Sequence, residues 1–170
     1  YQVIEFKKCK VDPVYFIETY VKIPHPVSSS VYPEIRSYQK NMIDIYNHNR
    51  YVVGLAARQM GTTMTRLSYL LWKIIFNPDK SVLLASNTMR SAEDLLNRFM
   101  FSYDSLPNFM KIGISSKNKN TVTFGNGSRI IAISINSKSL RGVTLTDVYC
   151  DNFSYTDQAK AIDFYHSIIP

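Results

Sequence analysis

The sequence predicts an α/β fold built on a mostly parallel sheet flanked by helices, and three observations carry that prediction. Short apolar runs at residues 51–56, 81–86 and 147–150 alternate with segments of helical periodicity, the pattern of strands covered on both faces. Residues 125–128 (Gly125, Asn126, Gly127, Ser128) separate two strand-like runs, 121–124 and 129–135. Asn-Gly supplies the positive φ angles of a tight turn, so this is a hairpin, either an insertion or an antiparallel edge. At 170 residues, with 45% hydrophobic and 13% aromatic content, the chain can bury a substantial core.

The elements follow in order. Asp12 can cap a short helix whose first position is Pro13 and which runs to Tyr20. Residues 23–30 hold two prolines and a serine run and read as a linker. The expected division is therefore an N-terminal segment, 1–32, and a main α/β domain, 33–170. Ile35, Tyr38, Met42, Ile45 and Tyr46 keep helical spacing over 33–47. Residues 51–56 read as a strand, and 63–76 as an amphipathic helix with Met64, Leu67, Leu70, Leu71, Ile74 and Ile75 on one stripe. Asn77, Pro78 and Asp79 end it. A strand over 81–86, a helix over 91–103, the hairpin, a strand over 147–150 and a helix over 158–167 complete the reading.

A net charge of +7 makes a polyanionic partner plausible, although the basic residues are scattered. Cys9 and Cys150 form neither a disulfide framework nor a metal cluster. No run approaches the length of a membrane span, about 18 apolar residues. The chain begins with Tyr1, and the expectation is a fragment or a processed chain in an intracellular setting.

The chemistry concentrates where strands give way to helices, because ligands of open α/β sheets sit beyond the carboxyl ends of the strands. Residues 56–63 read Ala-Ala-Arg-Gln-Met-Gly-Thr-Thr. Against the phosphate-binding pattern G-x-x-x-x-G-K-[ST], Gly61 keeps the second glycine and Thr63 the hydroxyl that meets Mg²⁺. Backbone N–H groups and a helix N-terminus can still cradle phosphate. The lysine position holds Thr62, whose hydroxyl is neutral and too short to replace it. Asp151 ends an apolar strand and suits Mg²⁺ or its water shell. Asn152 follows, and an amide can orient a water but cannot take its proton at neutral pH. Upstream of the loop, Gln39 can make a bidentate contact with an adenine edge.

Taken together and in order, the segments 12–23, Tyr38-Gln39, 57–61, 126–130, Arg141-Gly142 and 148–153 resemble the ATPase domain of the large terminase subunit of T4-like tailed bacteriophages, the DNA-packaging motor. The resemblance implies a P-loop NTPase fold of the additional-strand type, with ATP and Mg²⁺ as ligands. It also implies double-stranded DNA, the capsid portal and the small terminase subunit as partners, and the cytoplasm of an infected bacterial host as the setting. By match, Gln39 would contact adenine, and Arg58, Gln59, Met60, Gly61, Thr62 and Thr63 would surround the phosphates. Thr63 and Asp151 would serve Mg²⁺, and Arg141 falls in a family Arg-Gly pair.

Two departures shape the functional expectation. The family's loop lysine is Thr62 here, and its catalytic glutamate is Asn152. Losing an electrostatic clamp on phosphate is worth about 10²–10³ in rate, and losing a general base about 10²–10⁴. The expectation is a terminase-like domain that binds ATP weakly and hydrolyses little or nothing, with the coupling motif and the nuclease domain lying outside this chain. Two alternatives stay open: a packaging ATPase that is still active because Arg58 compensates, and a DNA-binding or structural module with no nucleotide role.

Overall fold

A computed structural model describes residues 1–25, 28–136 and 144–168, arranged in two compact units. The first comprises 1–76 with 98–111, and the second 77–97 with 112–170.

In the first unit, α1 (Gln2–Val11) is followed at once by α2 (Pro13–Tyr20). Asp12 makes the break: the residue before a proline is driven out of the helical region, and Asp12 sits at φ −120°, ψ 100°. Its Oδ1 accepts from the backbone N–H of Val14 and Tyr15 at 2.8 and 3.0 Å, the N-cap that the sequence indicates. A small antiparallel pair, β1 (Ile23–His25) with β2 (Ser29–Val31), occupies the stretch expected to be a linker. Next come α3 (Ser37–His48) and α4 (Thr62–Phe76). Of the predicted stripe of α4, Leu67, Leu70, Leu71, Ile74 and Ile75 are in the core, and Met64, in the first turn, is half-buried. Trp72 Nε1 donates to the Cys9 carbonyl at 2.7 Å, tying α4 to α1, and Phe76 meets Phe16 edge-on at 5.3 Å.

The second unit is a mixed sheet. Its strands are β3 (Ser81–Ser86), β4 (Ile114–Lys117), β5 (Thr121–Phe124), β6 (Arg129–Ser134) and β7 (Asp147–Cys150), in the order β4-β5-β6-β3-β7. Central β3 is buried along its whole length and runs parallel to both neighbours, with Leu84 opposite Ala132 on one side and Tyr149 on the other. The other two ladders are antiparallel. The sheet is therefore only half parallel, because the hairpin recruits β4, a polar, exposed edge strand that has no apolar pattern to announce it. The turn holds one positive φ, at Gly127 (+82°), where a Cβ would run into the Asp79 carboxylate. Between β3 and β4, α5 (Met89–Asp104) begins in this unit and ends in the first. Finally, α6 (Gln158–Ile168) buries Phe164 against Leu83, Ala85, Ile133 and Ile135.

One expected element is absent. Residues 51–56 form no strand, and Val53 and Leu55 are 99% and 103% exposed. A strand exists through its ladder, and among the described residues nothing pairs with this run.

Candidate functional site

In the first unit, the loop that precedes α4 is shaped by two backbone inversions and one chain of hydrogen bonds. Gln59 lies at φ 63° and Gly61 at φ 70°, left-handed conformations of the kind found in backbone nests that take anions. The first turn of α4 adds N–H groups with no intrahelical partner, and its dipole favours an anion there. Thr62 and Thr63 start the helix, both partly exposed, whereas Arg58 and Gln59 are exposed.

The hydrogen bonds come from α3. The backbone N–H of Arg36 donates to Gln39 Oε1 at 2.9 Å. Gln39 Nε2 donates to Thr65 Oγ1 at 2.9 Å, and Thr65 Oγ1 donates to the Gly61 carbonyl at 3.1 Å. Beside this relay the Tyr38 hydroxyl donates to the Met60 carbonyl at 2.5 Å. Two neighbours on α3 thus hold two neighbours of the loop. The Arg36 bond also assigns the orientation of the Gln39 amide, since its oxygen must face a donor.

Next to the relay is a cavity of about 240 Å³, lined by apolar side chains, among them Ile23, Val31, Ile35 and Met64, and by the polar residues Glu34, Arg36, Gln39, Gln59, Thr65 and Ser68. After its two bonds, Gln39 keeps one amide N–H and one oxygen lone pair, the pair needed to address an adenine edge. Gln39 and the loop N–H groups are of the kinds that an adenine edge and phosphate oxygens would meet.

Sequence reasoning singled out Gln39, Arg58, Gln59, Met60, Gly61, Thr62 and Thr63, and the structure brings Gln39, Gln59, Met60 and Gly61 together around the cavity. Thr65 went unremarked, although Thr65 four residues after Gly61 is where a helical side chain reaches back to the loop carbonyl. Arg66 was missed as well: its guanidinium lies against Gly54, and its Nε donates to the Tyr46 hydroxyl at 2.8 Å.

In the second unit, Asp151 follows the last residue of β7, at the carboxyl end of the strand. Its backbone N–H donates to the Ala85 carbonyl at 2.8 Å. Its Oδ1 accepts from the Tyr149 hydroxyl at 2.5 Å, and its Oδ2 from Asn152 Nδ2 at 3.1 Å. Asn152 is left-handed at φ 55°, a conformation asparagine tolerates better than most residues. Each carboxylate oxygen retains a lone pair. Among the described residues no three His, Cys, Asp or Glu side chains converge on one point. A lone carboxylate suits Mg²⁺ that arrives with phosphate oxygens and water, not a metal caged by protein alone. On the other face of β7, burial raises the Cys150 thiol to about 11, which keeps it protonated. Arg141 and Gly142 lie outside the described residues.

Among the described residues no helix is long and apolar enough to cross a membrane. The family described as "Terminase large subunit, T4likevirus-type, N-terminal" matches residues 53–163, which is more than half of the chain. The fold is similar to the crystal structure of the HK97 bacteriophage large terminase, with a TM-score of 0.70 at 14% sequence identity, over 93% of this chain and 34% of that one. This chain thus spans about a third of the HK97 protein's length. Because the match runs from the loop before α4, through the sheet, to α6, the chain belongs to the T4-like type of large terminase subunit and represents its N-terminal part.

Proposed function

We propose that this chain is the nucleotide-handling part of a viral DNA-packaging terminase, with a P-loop NTPase fold of the additional-strand type, and that it holds Mg²⁺·ATP without efficient hydrolysis. The observation that carries the reading is the relay Arg36–Gln39–Thr65–Gly61. It spends buried polar groups on setting a loop that has lost its lysine.

In this reading Gln39 addresses the adenine edge and the cavity beside it takes the base. Backbone N–H groups from Gln59 to Met64 receive the phosphates, and Thr63 in the first unit and Asp151 in the second are each suited to Mg²⁺. Bound magnesium would neutralise charge on the phosphate oxygens. Thr62 adds no charge, and Asn152 orients water without accepting its proton. Arg58 is an incomplete substitute for the lysine: it is exposed at the turn, where salt screens its charge, and its planar fork is not a point charge. The partners in this reading are double-stranded DNA, the portal and the small subunit, and the setting is the cytoplasm of an infected bacterium. The net charge of +7 is compatible with a DNA partner.

The test compares wild-type chain with the double variant Thr62→Lys/Asn152→Glu in a phosphate-release assay with Mg²⁺, alongside calorimetric titration of ATP. The expected result is weak ATP binding with release at background for the wild type, and release at least about tenfold higher for the folded double variant. Robust release by the wild type would overturn the inactive reading, and absence of any ATP binding would overturn the nucleotide reading.

A further inference from the structure

We infer that Tyr149 is a positioning residue for the divalent-cation site at Asp151, a role that rests on the nucleotide reading above. Tyr149 and Asp151 are two apart at the end of β7, so their side chains leave the same face of the sheet. Tyr149 is buried, only 8% exposed, and lies opposite Leu84 of the central strand. Its ring is therefore fixed by packing, and its hydroxyl reaches Asp151 Oδ1 at 2.5 Å. The Asn152 amide holds Oδ2, and the backbone N–H of Asp151 is fixed on the Ala85 carbonyl, so the carboxylate has a donor on each oxygen and its backbone is anchored.

The chemistry of the donors matters as much as their number. Lysine or arginine at these points would neutralise the carboxylate and compete with a cation. A phenol and an amide are neutral donors. They set the orientation of Asp151 while leaving its full negative charge and one lone pair on each oxygen for the ion or its water shell. A buried phenol takes a hydrogen-bond partner, and here that partner is the carboxylate just beyond the strand. Partners that orient a metal ligand without touching the metal typically change affinity about 10–100-fold when removed.

The experiment titrates Mn²⁺ in the presence of ATP, with free Mn²⁺ read by its electron paramagnetic resonance signal. Wild type, Tyr149→Phe, Tyr149→Leu and Asp151→Asn are compared, with folding of each confirmed by circular dichroism. ATP affinity without metal is measured in parallel. Tyr149→Phe keeps the ring and removes only the hydroxyl, so it is expected to weaken Mn²⁺ about tenfold while leaving metal-free ATP binding unchanged. Tyr149→Leu should weaken Mn²⁺ at least as much. A crystal structure of Tyr149→Phe should show the Asp151 side chain rotated or in more than one conformer. Mn²⁺ affinity equal to wild type in Tyr149→Phe, with weakening in Asp151→Asn, would overturn the positioning role and leave the metal reading intact. Equal Mn²⁺ affinity in wild type and Asp151→Asn would overturn the metal reading itself, and the role of Tyr149 with it.

Discussion

Gln39 Nε2 donates to Thr65 Oγ1 at 2.9 Å, and both residues are almost fully buried, at 8% and 3% exposure. A buried amide N–H that loses its acceptor carries the cost of its desolvation, about 1–3 kcal/mol. Thr65→Val keeps the shape and removes the hydroxyl, so it strands the Gln39 amide and also deprives the Gly61 carbonyl of a donor. The expected loss is about 1–3 kcal/mol in urea denaturation, with weaker ATP binding. Thr65→Ser should restore most of both. Stability unchanged in Thr65→Val would show that the relay is dispensable.

Gly61→Ala tests the same loop from the backbone side. At φ +70° an L-residue is strained, and its Cβ would stand 3.0 Å from Gln39 Nε2. A non-glycine residue in this region costs about 1–2 kcal/mol, and the crowding pushes the amide off Thr65. The variant should melt several degrees lower and bind ATP more weakly than Thr62→Ala, which keeps the backbone. Equal behaviour of the two variants would contradict this account.

What could be read in advance tracks where local physics decides. β3 was legible because a strand buried on both faces must be apolar throughout, and Ser81–Ser86 matches the expected run residue for residue. Asp12 announced α2 for a similar reason: an N-cap followed by proline is local chemistry. β4 was not legible, since an exposed edge strand of Ile, Ser, Ser and Lys is held by its ladder with β5 alone. α1 was missed because Val3, Ile4 and Val11 are exposed and its burial rests on Glu5 and Cys9. Residues 51–56 failed the other way. Their β-branched, apolar composition describes a pleated, half-buried surface, and no described strand supplies the neighbour that would make it one. The relay that holds the loop before α4 could not be read from the sequence. It joins residues 26 apart, Gln39 and Thr65, and no periodicity encodes such a pair.

Glu5 gives a pH prediction. It is buried, 4% exposed, and its carboxylate accepts from the Tyr15 hydroxyl at 2.8 Å, the Tyr20 hydroxyl at 2.9 Å and Lys8 Nζ at 3.1 Å. The Tyr15 bond first, then Lys8 and Tyr20, lower its pKa below the ordinary 4.5. A depressed pKa in the folded state means that the contribution is present above 4.5 and disappears as pH falls through the lower folded value. Wild type should lose stability on acidification below pH 4.5 more steeply than Glu5→Gln, and the gap between the two should narrow toward pH 3. At the alkaline end the sign reverses. Burial, and then the bond to Glu5, raise the Tyr20 pKa well above its ordinary 10.0. Its contribution is therefore complete below pH 10 and fades as the pH climbs above that value. Urea midpoints measured from pH 3 to 11 test both limbs, and parallel acid limbs for wild type and Glu5→Gln would refute the assignment to Glu5.

Thr62→Lys, made alone, separates binding from chemistry. Thr62 is the first residue of α4, so its side chain starts where the helix dipole already favours an anion. A lysine there adds a flexible ammonium, and an electrostatic clamp of this kind is worth about 10²–10³ when it acts on a developing charge. On a ground-state phosphate the effect is smaller, and roughly tenfold tighter ATP binding is expected. Turnover should stay near background, because Asn152 still offers no base. Adding Asn152→Glu then supplies a proton acceptor, at a cost of about 1 kcal/mol for placing a glutamate at φ 55°. It also removes the amide bond to Asp151 Oδ2, leaving the Tyr149 hydroxyl as the side-chain donor among those described. Calorimetry and phosphate release on both variants test the order of these effects. Turnover by Thr62→Lys alone that equals the double variant would mean that a group other than residue 152 takes the proton, and the role assigned to that position would fall.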